Sequence, residues 1–114
     1  MAQDRERSPL YGAAVANSTP CAYRPHEPAE APVKITDDGP ANILLVQNRR
    51  DVPTPHRGGE MFREKFGDRA RLVSEDAGGH GAYVLGDNAC AWNTATSHLV
   101  DGEMPTRDVS CRAS

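Results

Sequence analysis

The large apolar residues crowd into the middle of the chain. Of 18 Leu, Ile, Val and Phe residues, thirteen lie between Ile43 and Val100, four precede Ile43 and one follows Val100. Ile43-Leu44-Leu45-Val46-Gln47 puts four large apolar residues in a row, the pattern of a strand buried on both faces. A buried helix would need more length than the turn before this run and the Asn48-Arg49-Arg50-Asp51 cluster after it allow. From Arg57 to Phe66, Met61, Phe62 and Phe66 fall on one helical stripe, with Glu60, Arg63, Glu64 and Lys65 around it and Gly67 as a stop. Arg69 to Glu75, centred on Leu72 and Val73, reads as a second short strand. Cys90 to Val100 reads as a second helix, with Asn88 as its N-cap and Gly102 just past its end.

Strand, helix and strand in so short a span make one βαβ unit, whose strands must run parallel. Parallel strands need cover on both faces, and two strands alone are marginal in water. One helix before the second strand and one after it are too few to cover both faces of a free-standing sheet. The expected fold class is therefore α/β: a βαβα portion cut from the edge of a larger sheet, spanning residues 43–114. Residues 1–42 hold six of the nine prolines, Pro9, Pro20, Pro25, Pro28, Pro32 and Pro40. Proline fixes φ and removes a donor, so this Pro-rich N-terminal arm is expected to run extended, ending at the turn signal Asp37-Asp38-Gly39-Pro40.

Composition narrows the function classes. Thirteen Lys and Arg against sixteen Asp and Glu give a net charge of −3, which lacks the basic footprint of a nucleic-acid binder. The small net charge argues against wholesale disorder, although large aliphatic residues and Phe are sparse. No apolar run is long enough to span a membrane, so no membrane partner is expected. Met1-Ala2-Gln3-Asp4-Arg5-Glu6-Arg7 has no apolar stretch of the signal-peptide kind, so a chain made as it stands is expected in the cytoplasm.

In open α/β sheets, functional groups stand just beyond the carboxyl ends of the strands. Asp51 lies there after the first strand, ahead of Val52-Pro53-Thr54-Pro55, whose prolines would stiffen the loop. His80 lies there after the second, inside Ala77-Gly78-Gly79-His80-Gly81, where flanking glycines permit a sharp turn. An acid and a histidine on neighbouring strand ends are two-thirds of a nucleophilic triad. The plainer alternative is a loop-capping aspartate and an ordinary exposed histidine. His26, His56 and His98 have no metal-site spacing and no Cys-x-x-Cys occurs, so neither metal nor cofactor is expected. No Gly-x-Ser-x-Gly elbow is present either, and Gly78-Gly79-His80-Gly81 falls too late in the chain for an oxyanion-hole motif.

Several segments together resemble the C-terminal part of the α/β-hydrolase serine peptidases of the tripeptidyl aminopeptidase-like family. Cys21-Ala22-Tyr23-Arg24-Pro25 is similar to its Cys-x-x-Trp-Pro segment, with arginine in place of tryptophan. The run from Asn42 to Pro55 resembles the strand and loop that carry the catalytic aspartate, and Gly78-Gly79-His80-Gly81 the loop of the catalytic histidine. Asp87-Asn88-Ala89-Cys90, Leu99-Val100-Asp101-Gly102-Glu103-Met104-Pro105 and Cys111 resemble the closing pattern.

The resemblance implies that Asp51 is the triad acid and His80 the triad base. It also implies an order of Ser, Asp, His, which puts the nucleophile upstream of Met1. The substrate of the whole enzyme would be a peptide, and this chain by itself would be inactive. Cys90 and Cys111 would form the family's terminal disulfide, leaving Cys21 to a partner in an N-terminal hydrolase half. Family members are usually exported, unlike the expectation from the N-terminus here. Two other readings remain: a non-catalytic module that pairs with a separate N-terminal half through a sheet edge, and a small hydrolase that uses Ser74, Ser97 or Ser110 with His80.

Overall fold

The structure, a computed structural model, describes residues 2–12, 27 and 29–114. It divides into two compact units, Met1–Val33 and Lys34–Ser114. In the first, Ala2–Arg7 form a short helix, α1, in place of the extended chain expected there, and the Gly12 N–H bonds the Ser8 carbonyl at 2.7 Å. The helix ends ahead of Pro9, the first residue that would oppose it. The Cys21–Pro25 segment and His26 lie outside the described residues.

The second unit carries the fold. Its elements are β1 (Ile43–Asn48), α2 (His56–Phe66), a single 3₁₀ turn (Gly67–Arg69), β2 (Ala70–Glu75), α3 (Ala89–Asp101) and β3 (Val109–Cys111). The three strands form one parallel sheet in the order β1-β2-β3. Residues 34–42, read from the sequence as the end of the arm, belong to this unit. There Arg69 donates to the Thr36 carbonyl at 2.9 Å and the Pro40 carbonyl at 3.4 Å.

Alternation along the strands sorts side chains to two faces. Val73, Ala91 and Cys111 make the fully buried centre, with Leu44, Val46 and Val109 packed against it, so this face lies under α3. Burial of a side chain the size of Val73 contributes about 1.5–3 kcal/mol, and few others here are buried so completely. The opposite face receives α2 through Gly59. A Cβ at that position would stand 3.5 Å from both Gln47 and Leu72, so the missing side chain sets the close approach of helix and sheet. Met61 and Phe62, assigned from the sequence to the buried stripe, are instead 47% and 46% exposed.

β1 is half-buried along Ile43–Gln47, not dry on both sides as its apolar run implied. Among the described residues no strand pairs with its outer edge. β3 was not foreseen: three residues carry too little pattern to announce a strand. It starts where Asp108 Oδ1 takes the Leu72 N–H at 2.9 Å and the Arg63 Nε–H at 2.8 Å. Burial pushes the Asp108 carboxyl up, but these two bonds and the neighbouring guanidiniums hold it below its ordinary value. α3 begins and ends where expected. Asn88 Oδ1 accepts from the N–H groups of Cys90 and Ala91, and Gly102 closes the helix at φ 73°.

Candidate functional site

β1 and β2 pair in register over six residues, from Ile43 opposite Ala70 to Asn48 opposite Glu75. The two chains therefore leave the sheet side by side, and their first loops meet. The Arg49 N–H bonds the Glu75 carbonyl at 2.9 Å and the Arg50 N–H bonds the Ala77 carbonyl at 3.0 Å, which carries the pairing past the strand ends. The Arg50 guanidinium pairs with the Asp76 carboxylate, and Asn48 Nδ2 donates to the Gly79 carbonyl at 2.5 Å. Four contacts thus tether the glycine-rich loop to the end of β1, so that Asp51 and His80 come together.

His80 Nδ1 lies 3.0 Å from Asp51 Oδ2 and 3.2 Å from Oδ1. The Asp51 side chain is 2% exposed and that of His80 59% exposed, so the acid is sealed beneath an open imidazole. With its proton on Nδ1 the ring donates to the carboxylate, which leaves Nε2 as a free acceptor. That division fixes tautomer and orientation together.

Thr54 completes the arrangement and was not singled out from the sequence. Its hydroxyl donates to Asp51 Oδ2 at 2.7 Å and its N–H to Oδ1 at 3.2 Å. The Thr54 hydroxyl, opposed by burial and helped by the Thr54 N–H and His80, holds the Asp51 carboxyl below its ordinary value of 3.8. The signal was available: aspartate side chains commonly take a backbone N–H a few residues on in a loop, and Thr54 is so placed after Asp51.

The visible serines serve elsewhere. Ser74 Oγ is 2.8 Å from His56 Nε2, Ser97 bonds Asp101 and Glu103, and Ser110 accepts from Arg49. None of them is hydrogen-bonded to His80 among the described residues. Also among these residues, no three His, Cys, Asp or Glu side chains converge as a metal ion would need. No helix there is long and apolar enough to cross a membrane. Cys90 and Cys111 are bonded to one another, with Cα atoms 5.7 Å apart.

Comparison with known proteins agrees with this architecture. Residues 8–111 match the family model described as TAP-like protein. Tripeptidyl aminopeptidases of Streptomyces lividans and Streptomyces coelicolor are each 32% identical over 93 residues, which is 81% of this chain. The same alignment covers 17% of each relative, so the chain spans about a sixth of the length of the curated proteins it matches. With a small parallel sheet, flanking helices and a family match over most of its length, the chain belongs to the TAP-like family of α/β-hydrolases.

Proposed function

We propose that this chain supplies the acid and base of a Ser-Asp-His triad in a tripeptidyl aminopeptidase-like serine peptidase, and that the 114 residues by themselves do not turn over peptides. The observation that carries the reading is the 3.0 Å contact from a sealed Asp51 carboxylate to the Nδ1 of an exposed His80. In the whole enzyme, a serine outside these residues attacks the scissile carbonyl and gives its proton to His80 Nε2. The imidazolium is stabilised by Asp51 and returns the proton to the departing amine. Water then repeats the cycle on the acyl-enzyme.

The test is a chimera in which this chain replaces the homologous segment of the Streptomyces lividans enzyme. Hydrolysis of a tripeptide anilide by the chimera, lowered on the order of 10⁴-fold or more by His80→Ala, is the expected outcome. Turnover of the same anilide by the pure 114-residue chain, abolished by His80→Ala, would overturn the claim of inactivity.

The unpaired edge of β1, with half-buried Ile43, Leu44 and Leu45, favours a second reading, a module that pairs with a separate N-terminal half. Stable association without restored hydrolysis in a mixture of the two parts would support it over the first.

A further inference from the structure

Beneath the Asp51–His80 pair lies a second polar layer. Asn48 and Glu75, the last residues of β1 and β2, are Cα partners in the parallel register and project to the same face of the sheet. Asn48 is 2% exposed and Glu75 1% exposed. Asn48 Nδ2 is committed to the Gly79 carbonyl, which makes Oδ1 an acceptor. That Oδ1 is buried with no hydrogen-bond partner, and so is Glu75 Oε2. Two buried acceptors on neighbouring residues of the register, without a donor among the described residues, carry the full cost of desolvation. One proton on the carboxyl group satisfies both.

We infer that Glu75 is a positioning residue whose carboxyl O–H donates to Asn48 Oδ1, locking the amide that holds the Gly79 carbonyl and with it the backbone that presents His80.

The surroundings favour the neutral acid. Burial, and then the negative charge of Asp87, push the Glu75 carboxyl above its ordinary value of 4.5. The other elements around it offer no cation. β1 presents the uncharged Asn48, the register partner on β3 is the disulfide-bonded Cys111, and the first turn of α3 has no charged residue. Of the guanidiniums just past the strand end, Arg50 is spent on Asp76 and Arg49 on Ser110. An ionised Glu75 would also repel the Asn48 oxygen.

This inference rests on the reading of His80 as the base only for its functional meaning, and one set of spectra separates the two. The sample is the full chain with its Cys90–Cys111 bond intact. Carboxyl ¹³C NMR follows Glu75, assigned by difference from Glu75→Gln. Proton spectra follow the Asn48 side-chain amide and the His80 Nδ1–H. Glu75 is expected to resonate as the protonated acid at a pH where the exposed carboxylates of the chain have already ionised. The Asn48 amide should exchange with solvent roughly fivefold more slowly than it does once Glu75 ionises at higher pH, the equivalent of one hydrogen bond. Glu75→Gln, whose NH₂ can donate in place of the O–H, should keep the slow exchange and the His80 signal across that whole range. Glu75→Leu should lose both, and if that variant does not fold, the wild-type and Gln titrations still decide. A Glu75 carboxyl that ionises together with the exposed carboxylates, or an Asn48 amide in Glu75→Gln that follows the wild-type pH dependence, would overturn the inference. A protonated Glu75 with no Nδ1–H signal from His80 would leave it standing and sink the triad reading instead.

Discussion

Breaking the Cys90–Cys111 bond is the perturbation whose magnitude the structure defines best. The bond joins the first turn of α3 to the last residue of β3 across 21 positions. In the chain-entropy account, opening a loop of that length relaxes the unfolded ensemble by about 3 kcal/mol. For a domain of 60–100 residues each kcal/mol moves the melting midpoint by 4–8 °C, so the loss should be on the order of 12–24 °C. The two cysteines differ in setting: Cys90 is exposed, whereas Cys111 is 1% exposed against Val73 and Ala91. Cys90→Ala should therefore report the cross-link alone. Cys111→Ala should add about 1 kcal/mol for the vacated core volume, and the double variant should match Cys111→Ala. The assay is thermal melting by circular dichroism, with thiol titration to confirm the redox state of each sample. Oxidised and reduced chains that melt within two or three degrees of one another would refute the entropic reasoning. A Cys90→Ala chain less stable than Cys111→Ala would refute the assignment of which sulfur is packed.

Other expectations follow from single contacts. Asn88→Ala should cost about 1–2 kcal/mol in denaturant melts, because the side chain caps α3 and also donates to the Arg112 carbonyl at 2.7 Å. Thr54→Val should raise the Asp51 carboxyl toward 3.8, read by carboxyl NMR, because the hydroxyl is the main group holding it down. The sign for stability follows: the Asp51 contribution is present above pH 3.8 and is lost as pH falls through the folded value, so in Thr54→Val the contribution should be smaller and its loss complete at a higher pH. Gly86→Ala should destabilise by about 1–3 kcal/mol in the same melts, since the new Cβ would lie 2.6 Å from the backbone oxygen of Ala82.

Much of the fold was legible because its signals are local. The apolar runs of β1 and β2, the cap at Asn88 and the stop at Gly102 each act within a few residues. That Asp51 and His80 would stand beside one another was legible from topology, since both follow the ends of neighbouring strands. What escaped notice depends on contacts remote in sequence. β3 exists because Val109, Ser110 and Cys111 find Val73, Ser74 and Glu75, far from them in the chain. His56 gave no hint of its bond to Ser74, and nothing in the pattern of α2 said that Gly59, not Met61, would meet the sheet. Nothing in the strand pattern marked Glu75, at its end, as buried; only the register showed it enclosed with Asn48.

The lockstep pairing of β1 and β2 divides the chain by its tolerance of added or deleted residues. Asp51 stands three residues beyond Asn48, and His80 five beyond Glu75. One residue more or fewer in either short span would displace Asp51 or His80 by about 3.3 Å, the rise of an extended residue. That is enough to part the carboxylate from the imidazole. An extra residue near Asp68, between α2 and β2, would leave the register to the apolar faces of the strands, which a slip would turn the wrong way. Length variation is therefore expected to be tolerated in the connection between the strands and to be excluded from the two spans that follow them.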